Sequence, residues 1–283
     1  MGFRSQNLVL PEGAGSLIQN LINERTGMWF DNGKRDLLID KLSPLVIEHG
    51  FTSYLDYYYL LKYDTESHLE WENVINALSV QETYFWREID QVRVLVQTLL
   101  PKWDARSANR NVRIWSAACA TGEEPLTIAI ALNEAGWFER MPIEILASDA
   151  SSKAIERARE GVYRDRAFRN LPAGLRERYF SKEGSGWRVR SDIHGRIKWG
   201  IANLVEEEQV APFAAADFIF CRNVFIYFSE NAIRRAVRSF SKFIRSPGYL
   251  FVGAAESLIR VTTDFNLTEI GDAFVYTKRE RVI

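Results

Sequence analysis

Residues 112–125, which read VRIWSAACATGEEP, form the stretch that decides the fold. An apolar run of β type over 112–116 leads into small residues, and an amphipathic helical pattern follows over 123–135. Strands that alternate with helices of 10–15 residues are typical of a mostly parallel sheet with helices on both faces. The same strand–helix order recurs at 143–147 with 151–160 and at 217–221 with 230–244. We therefore expect an α/β fold with a doubly wound, Rossmann-like sheet.

Two further β features are predicted in this unit. Residues 265–268 and 273–277 resemble a closing hairpin around a Gly-Asp turn. Between them and the second helix, strand-like runs at 187–190 and 196–199 are bounded by turn residues. We interpret these runs as a small β excursion from the sheet at about 181–201.

The first hundred residues have a different pattern, with apolar side chains at helical spacing in four segments. They carry 8 basic and 14 acidic side chains, whereas the remainder of the chain carries 28 and 23. Such asymmetry indicates two units with different surfaces. The expected domains are a helical N-terminal domain at 1–80, a linker helix that contributes to the site at 81–104, and the α/β domain at 105–283.

Composition excludes several classes of protein. Of 283 residues, 47% are hydrophobic, yet no window approaches the 18 consecutive apolar residues of a membrane span. The N-terminal apolar run is too short for a secretory signal. Cys119 and Cys221 cannot form a disulfide framework, and with three histidines they lack metal-ligand spacing. A net charge of −1 argues against a nucleic-acid coat. We expect a cytoplasmic protein with no metal, no nucleic-acid partner and no membrane insertion.

The turn after the first strand lacks a phosphate-binding motif. It contains neither GxGxxG nor GKS/GKT, and it ends in Glu123 and Glu124. Carboxylates repel a phosphate but suit a ligand with an ammonium or sulfonium group. Alternatively, both glutamates interact only with the positive end of the helix dipole.

The second strand ends in Ser148-Asp149. An acid at this place holds ribose hydroxyls in nucleoside-binding sheets, although Asp149 could instead act only as the N-cap of the next helix. The acidic turn, the second acid and the missing phosphate site together favour S-adenosylmethionine over NAD as cofactor.

Five motifs of the α/β unit, in order, resemble those of CheR-type chemoreceptor glutamate methyltransferases. They are WSAACATGEEP (115–125), ASDAS (147–151), ANL (202–204), FCRNVFIYF (220–228) and GAAES (253–257). Upstream, QETYFWRE (81–88) is close to the family's Asn-x-Thr-x-Phe-Phe-Arg-Glu signature. The resemblance implies methyl transfer from S-adenosylmethionine to glutamates on the cytoplasmic helices of chemoreceptors, with S-adenosylhomocysteine as a tightly bound product.

The resemblance also implies a set of site residues. Glu124 would bind the methionine part of the cofactor, with Glu123 as the alternative, and Asp149 would bind the ribose. Asn203 and Leu204 would flank the adenine, and Arg222 would pair the cofactor's carboxylate. The remaining cofactor-binding candidates are Gln81, Thr83, Arg87 and Asn223, and the catalytic candidates are Arg87, which would orient the acceptor carboxylate, and Tyr227, beside the transferred methyl group.

Each catalytic candidate has an ordinary alternative role. Arg87 could be a surface residue paired with Asp90 or Glu88, and Tyr227 a half-buried ring with its hydroxyl at the surface. The sequence also departs from the family pattern. Gln81 replaces an asparagine, GAAES stands where many relatives have Gly-His-Ser-Glu, and the second N-terminal helix has few basic residues.

A positive region lies instead at Arg234, Arg235, Arg238, Lys242 and Arg245, unless these residues form only a solvated helix face.

Two functions remain as alternatives to receptor methylation. One is a related methyltransferase that modifies a different signalling protein, and the other is a non-catalytic scaffold that binds the cofactor.

Overall fold

The N-terminal domain is a bundle of four helices. The computed structural model describes residues 11–104 and 111–279. Apolar side chains of all four helices form one separate core cluster, which includes Ile18, Leu38, Tyr57 and Val74. The prediction of four helices is thus confirmed. They are α1 (Glu12–Thr26), α2 (Arg35–Glu48), α3 (Tyr54–Tyr63) and α4 (Ser67–Leu78).

The connection between the domains is only partly helical. A π-helical turn at Leu95–Leu99 joins α5 (Ile89–Val94) to α6 (Leu100–Asp104). Residues 81–88 are not helical, and the φ angles of Trp86 (67°) and Glu88 (47°) are positive. The prediction of a linker helix over 81–104 is therefore wrong for its first eight residues, because left-handed backbone conformations break a helix. The predicted start of the second domain, residue 105, lies outside the described residues.

The second domain is built on a seven-stranded sheet, which confirms the predicted fold class. The strands are β1 (Val112–Ala117), β2 (Ile143–Asp149), β6 (Ile197–Ile201), β7 (Phe218–Cys221), β8 (Tyr249–Phe251), β9 (Phe265–Ile270) and β10 (Ala273–Lys278). Their order in the sheet is β6-β2-β1-β7-β8-β10-β9. The first five strands in this order are parallel, and the hairpin of β9 and β10 closes the sheet antiparallel to β8.

Helices cover both faces of this sheet, and each face has its own core. The helices of this domain are α7 (Glu123–Glu134), α8 (Trp137–Arg140), α9 (Ser152–Glu160), α10 (Ala173–Tyr179), α11 (Ser191–His194), α12 (Glu207–Ala214) and α13 (Glu230–Phe243). Because successive side chains of a strand point to opposite faces, Ile114 and Trp115 belong to different clusters, packed with α7 and α13 respectively.

The predicted β excursion is correct only in part. A separate three-stranded antiparallel sheet contains β3 (Val162–Tyr163), β4 (Phe180–Glu183) and β5 (Gly186–Val189) in the order β3-β5-β4. The second predicted strand of the excursion is instead β6, the edge strand of the main sheet, which runs parallel to β2. Residues 197–201 therefore belong to the main sheet and not to the excursion.

The segment after α1 joins the two domains through backbone groups. Met28 and Phe228 form an antiparallel β-bridge. The Trp29 amide donates to the Tyr227 carbonyl at 2.8 Å, and the Ser229 amide donates to the Gly27 carbonyl at 3.0 Å. Residues 27–29 of the helical domain are thereby fixed against the turn that carries Tyr227.

Gly27 permits this close approach, so we predict that Gly27→Ala destabilises the protein. Its φ is +79°, and an added Cβ would lie 2.8 Å from the Phe228 ring and 2.9 Å from Val205. We expect the free energy of unfolding to fall by about 2–4 kcal/mol, combining left-handed strain with overpacking. Urea unfolding measures this loss.

Gly50→Ala is the matched control for this measurement. Gly50 has a similar φ, +72°, but a Cβ added there would have no atom within 4 Å. We expect Gly50→Ala to cost only the backbone strain, about 1–2 kcal/mol. Equal losses for the two variants would contradict the interdomain contact at Gly27.

Candidate active site

A cavity of about 270 Å³ lies at the carboxyl ends of β1, β2 and β7, between the two domains. Parallel α/β sheets bind their ligands at this edge. The structure brings ten predicted site residues together in its lining, whereas Glu123 is not among them. The ten residues are Gln81, Thr83, Arg87, Glu124, Asp149, Asn203, Leu204, Arg222, Asn223 and Tyr227.

The turn between β1 and α7 places backbone close to the cavity. Ala118 and Ala120 have positive φ angles of 54° and 49°, and both line the cavity together with Cys119. Gly122, at φ +95°, packs against Trp199, where a Cβ would lie 2.8 Å from the indole ring. Small side chains therefore serve both purposes: they allow the tight turn and leave space for a ligand.

Asp149 is fixed by this turn rather than by capping α9. One of its carboxylate oxygens accepts the Ala120 amide and the other the Ser151 amide, both at 2.9 Å. Ser151 is the N-cap of α9, since its hydroxyl accepts the Ala154 amide at 3.1 Å. The alternative of Asp149 as the N-cap is therefore wrong. Burial raises the pKa of Asp149, although the backbone hydrogen bonds oppose this shift.

Glu124 faces the cavity but is already paired. Its carboxylate accepts the Ser116 hydroxyl at 2.7 Å and the Arg222 Nε–H at 2.6 Å. Both partners of the ion pair are largely buried, with the Arg222 side chain 2% exposed. Such a pair holds its members in place, because removing either one would leave a buried charge uncompensated.

Arg222 makes most of its possible hydrogen bonds within the protein. Besides Glu124, its guanidinium donates to the carbonyls of Arg87 and Glu88, each at 3.0 Å, and to Gln91 Oε1 at 3.3 Å. These bonds use four of the five N–H groups of the side chain. Arg222 thus pairs with Glu124 and supports the backbone that carries Arg87. One N–H of its guanidinium remains, so its pairing with a carboxylate of the cofactor stays a prediction.

The amide of Asn203 is also engaged by the protein. Its Nδ2 donates to the Arg25 carbonyl at 2.6 Å, and its Oδ1 accepts the Val205 amide at 3.3 Å. One N–H and one lone pair remain for a ligand. Leu204 beside it is buried and contributes an apolar wall.

The segment 81–88 forms another wall of the cavity. Gln81 accepts from Arg157 at 2.9 Å and donates to Ser151 at 3.4 Å, and Thr83 lies in the lining. Gln81 thus ties this segment to the start of α9.

Arg87 has no carboxylate partner among residues 11–104 and 111–279. Its Nη1 donates to the Glu82 carbonyl at 3.0 Å, and its guanidinium lies 5.6 Å from the Tyr84 ring. The alternative pairing with Asp90 or Glu88 is wrong, because Asp90 pairs with Arg93 at 2.9 Å and Glu88 accepts from Asn223 and Ala254. A cationic group in the cavity thus remains available to an anion.

Tyr227 lies on the cavity wall at the end of a 3₁₀ turn, Phe225–Tyr227. Its backbone carbonyl accepts from Trp29, while its hydroxyl has no hydrogen-bond partner in the described part of the chain. The phenol is therefore free to meet a bound molecule.

The N-terminal domain contributes to this cavity in a way that the sequence did not predict. Thr26, Met28, Trp29 and Phe30 line it, as do Lys34, which precedes α2, and Leu37 and Lys41 in the first half of α2. Met28–Phe30 lie outside the helices, so apolar spacing carries no signal for them. Gly27, which follows the apolar pattern of α1, is a sequence signal for a turn at this place.

The predicted positive region, which lies on α13 and at Arg245 just after it, is largely paired within the protein. Arg234 pairs with Glu230, Lys242 with Glu207 and Arg245 with Asp217, at 2.5–3.0 Å. Arg235 donates to the carbonyls of Glu24 and Val205 and so links the two domains. Four of the five basic residues of this region thus have partners within the protein.

Glu123 lies outside the cavity lining and accepts the Thr121 hydroxyl at 2.7 Å. Burial raises the pKa of its carboxyl to about 7. A raised folded-state pKa means that its stabilising contribution is complete below pH 4.5, its unfolded value, and is lost as the pH rises through 7.

We predict that Glu123→Gln removes this pH dependence. Between pH 4.5 and about 8, the free energy of unfolding of the wild type should fall by up to about 3 kcal/mol more than that of the variant. Urea unfolding at several pH values measures the difference. The exposed Glu208→Gln serves as control, and parallel pH profiles for wild type and Glu123→Gln would contradict the prediction.

The residues present fit S-adenosylmethionine. Each Asp149 oxygen accepts one N–H and keeps a lone pair for a ribose hydroxyl. Glu124 offers a carboxylate for an ammonium group, and Leu204 offers an apolar surface for a base.

None of the helices in residues 11–104 and 111–279 has the length and apolar character of a membrane span.

The doubly wound sheet, the acidic turn and the acid that ends the second strand define an S-adenosylmethionine-dependent methyltransferase. The chain belongs to the CheR methyltransferase family. The model of the family's all-alpha domain matches residues 15–79, and that of its SAM-binding domain matches residues 81–274. The resemblance found in the sequence is thereby confirmed, and with it the S-adenosylmethionine cofactor.

Individual relatives agree with this assignment. The chain is 34% identical over 258 residues to chemotaxis protein methyltransferase 2 of Vibrio cholerae, covering 90% of this chain and 89% of the relative. It is 31% identical over 268 residues to the chemotaxis protein methyltransferase of Escherichia coli, covering 93% and 91%. It is also 34% identical over 188 residues to the probable biofilm formation methyltransferase WspC of Pseudomonas aeruginosa, covering 66% of this chain and 44% of the relative.

Proposed function

We propose that this protein is a protein-glutamate O-methyltransferase that acts in the cytoplasm on the helices of chemoreceptors. The single observation that carries the acceptor assignment is Arg87, a cation in the cavity with no carboxylate partner among the described residues. A glutamate side chain that enters the cavity would supply that partner. The names of the relatives support the chemotaxis role.

The reaction requires positioning more than acid–base chemistry. The bound cofactor supplies a methyl group already activated on a sulfonium sulfur. A glutamate side chain, with an ordinary pKa near 4.3, is ionised at neutral pH and needs no base to become a nucleophile. Arg87 would orient the carboxylate, and Tyr227 would shape the space in which the carboxylate oxygen meets the methyl carbon. Alignment of this kind supplies on the order of 7–11 kcal/mol of the barrier reduction.

The mouth of the cavity fits an acidic, amphipathic partner. Trp29, Leu37 and Ile226 line the cavity and are 41%, 45% and 47% exposed. Lys34 and Lys41 lie in the same lining. Apolar and cationic side chains side by side match a helix that carries glutamates next to an apolar stripe.

Labelling with radioactive cofactor tests the proposed function. Purified protein is incubated with the labelled cofactor and receptor-containing membranes, and we expect base-labile label on receptors, as methyl esters require. Label on another protein would instead favour methylation of a different signalling protein, which the likeness to WspC makes the second candidate. Cofactor binding without any label on protein would point to a scaffold.

A further inference from the structure

The GAAES motif at 253–257 contributes a carboxylate that touches the turn carrying two candidate site residues. Glu256 lies after β8, and its side chain accepts four backbone amides. Oε2 accepts from Asn223 at 2.9 Å and from Gly253 at 2.6 Å, and Oε1 accepts from Phe225 at 2.7 Å and Ile226 at 3.3 Å. Three of these amides belong to the segment between β7 and Tyr227.

The same turn is held from a second side by Glu88. One Glu88 oxygen accepts the Asn223 side-chain amide at 3.1 Å, and the other accepts the Ala254 backbone amide at 3.2 Å. Asn223 has a φ of 57°, a left-handed conformation that costs energy and persists only where its surroundings enforce it. Two carboxylates therefore enforce it, one at the backbone and one at the side chain.

Gly253 makes the contact with Glu256 possible. A Cβ at this position would lie 2.6 Å from Asn223 Nδ2 and 2.8 Å from Glu256 Oε2. Only a residue without a side chain leaves room for the carboxylate and the turn to meet. The motif thus holds the turn in place through hydrogen bonds. It is not a part of the cavity wall, since neither Gly253 nor Glu256 lies in the lining.

We propose that Glu256 is a positioning residue, which holds the turn at 223–227 so that Asn223 and Tyr227 face the reacting groups. This inference rests on the proposed function for its kinetic consequence. Hydrogen bonds to a charged carboxylate are about twice as strong as neutral ones. A neutral side chain of the same size, as in Glu256→Gln, would turn one acceptor end into a donor and oppose the amides.

Backbone hydrogen exchange tests directly whether Glu256 holds the turn at 223–227. In Glu256→Gln, we expect the amides of 223–226 to exchange at least about tenfold faster than in the wild type. The exposed Glu269→Gln, on β9, should leave their exchange unchanged. If Glu256→Gln does not fold, Glu256→Asp replaces it, because it keeps the charge while shortening the reach, and the same acceleration is expected.

Kinetics test whether Glu256 affects catalysis through the position of Tyr227. Glu256→Gln should lower kcat at least about tenfold, and Tyr227→Phe should then add almost nothing, because the phenol is already misplaced. Fully multiplicative effects of the two variants, or unchanged exchange at 223–226, would overturn the proposal. If the wild type labels no receptor, the proposed acceptor is wrong, while the exchange measurement still decides the role of Glu256.

Discussion

Arg87→Ala is expected to lower kcat/KM for receptor methylation by about 100-fold, the loss typical of a reactant misplaced by about 1 Å. The carboxylate loses its charge during the reaction, so a cation beside it does not stabilise the transition state more than the substrate. Arg87 would therefore act by aligning the acceptor. Steady-state kinetics at saturating cofactor, with the receptor concentration varied up to saturation, measure the effect, and we expect kcat itself to fall.

Two variants separate this role from general damage. Arg93→Ala removes an exposed arginine that follows on α5 and pairs with Asp90, and it should leave the rate unchanged. Arg87→Lys keeps the charge but not the planar, forked geometry, so it should recover only part of the rate. An unchanged kcat for Arg87→Ala at saturation would remove Arg87 from the mechanism.

Local pattern predicted the sheet because burial enforces it. Strands between two helical layers read as short apolar runs, and helices between them show a 3.6-residue period. The strand β6 was assigned to the wrong sheet because local pattern identifies a strand without identifying its neighbour. Its residues, Ile197–Ile201, are strand-like on either interpretation, and periodicity does not say whether a strand pairs with β5 or with β2.

Long-range pairing is what the sequence could not show about the site. Glu124 and Arg222 are 98 residues apart, and each suits a charged group of the ligand. Only the fold reveals that they neutralise each other, because residue type shows what a side chain can bind but not what lies beside it. The left-handed backbone at Trp86 and Glu88 likewise runs against the local preference of both residue types. Long-range contacts accompany it: the Trp86 amide donates to the Thr127 hydroxyl, and Glu88 accepts from Asn223.

The position of Asp149 could be predicted because it depends on topology alone. It ends the strand next to β1, and parallel strands present their carboxyl ends at one edge. The prediction of its surroundings was less complete, since the amide of Ala120 reaches it only through a left-handed turn.

Asp149→Ala is expected to weaken the binding of S-adenosylhomocysteine at least about 100-fold. Two charge-assisted hydrogen bonds to ribose hydroxyls, at about 1.5–3 kcal/mol each, would be lost. The product is the better ligand for this test, because it shares the adenosine and amino-acid parts of the cofactor and cannot react. Isothermal titration calorimetry measures the affinity, and Asp149→Asn, which keeps one acceptor oxygen, should show an intermediate loss.

Because Asp149 also accepts the amides of Ala120 and Ser151, its removal could act by disturbing the turn after β1. The two causes separate when adenosine and 2′,3′-dideoxyadenosine are compared as ligands. A direct bond to the ribose hydroxyls makes the wild type prefer adenosine and makes Asp149→Ala indifferent to them, whereas a disturbed turn weakens both ligands equally. Asp272→Ala, in the exposed β9–β10 turn, should bind the product like the wild type. A variant at Asp149 that binds the product as tightly as the wild type would place the cofactor elsewhere in the cavity.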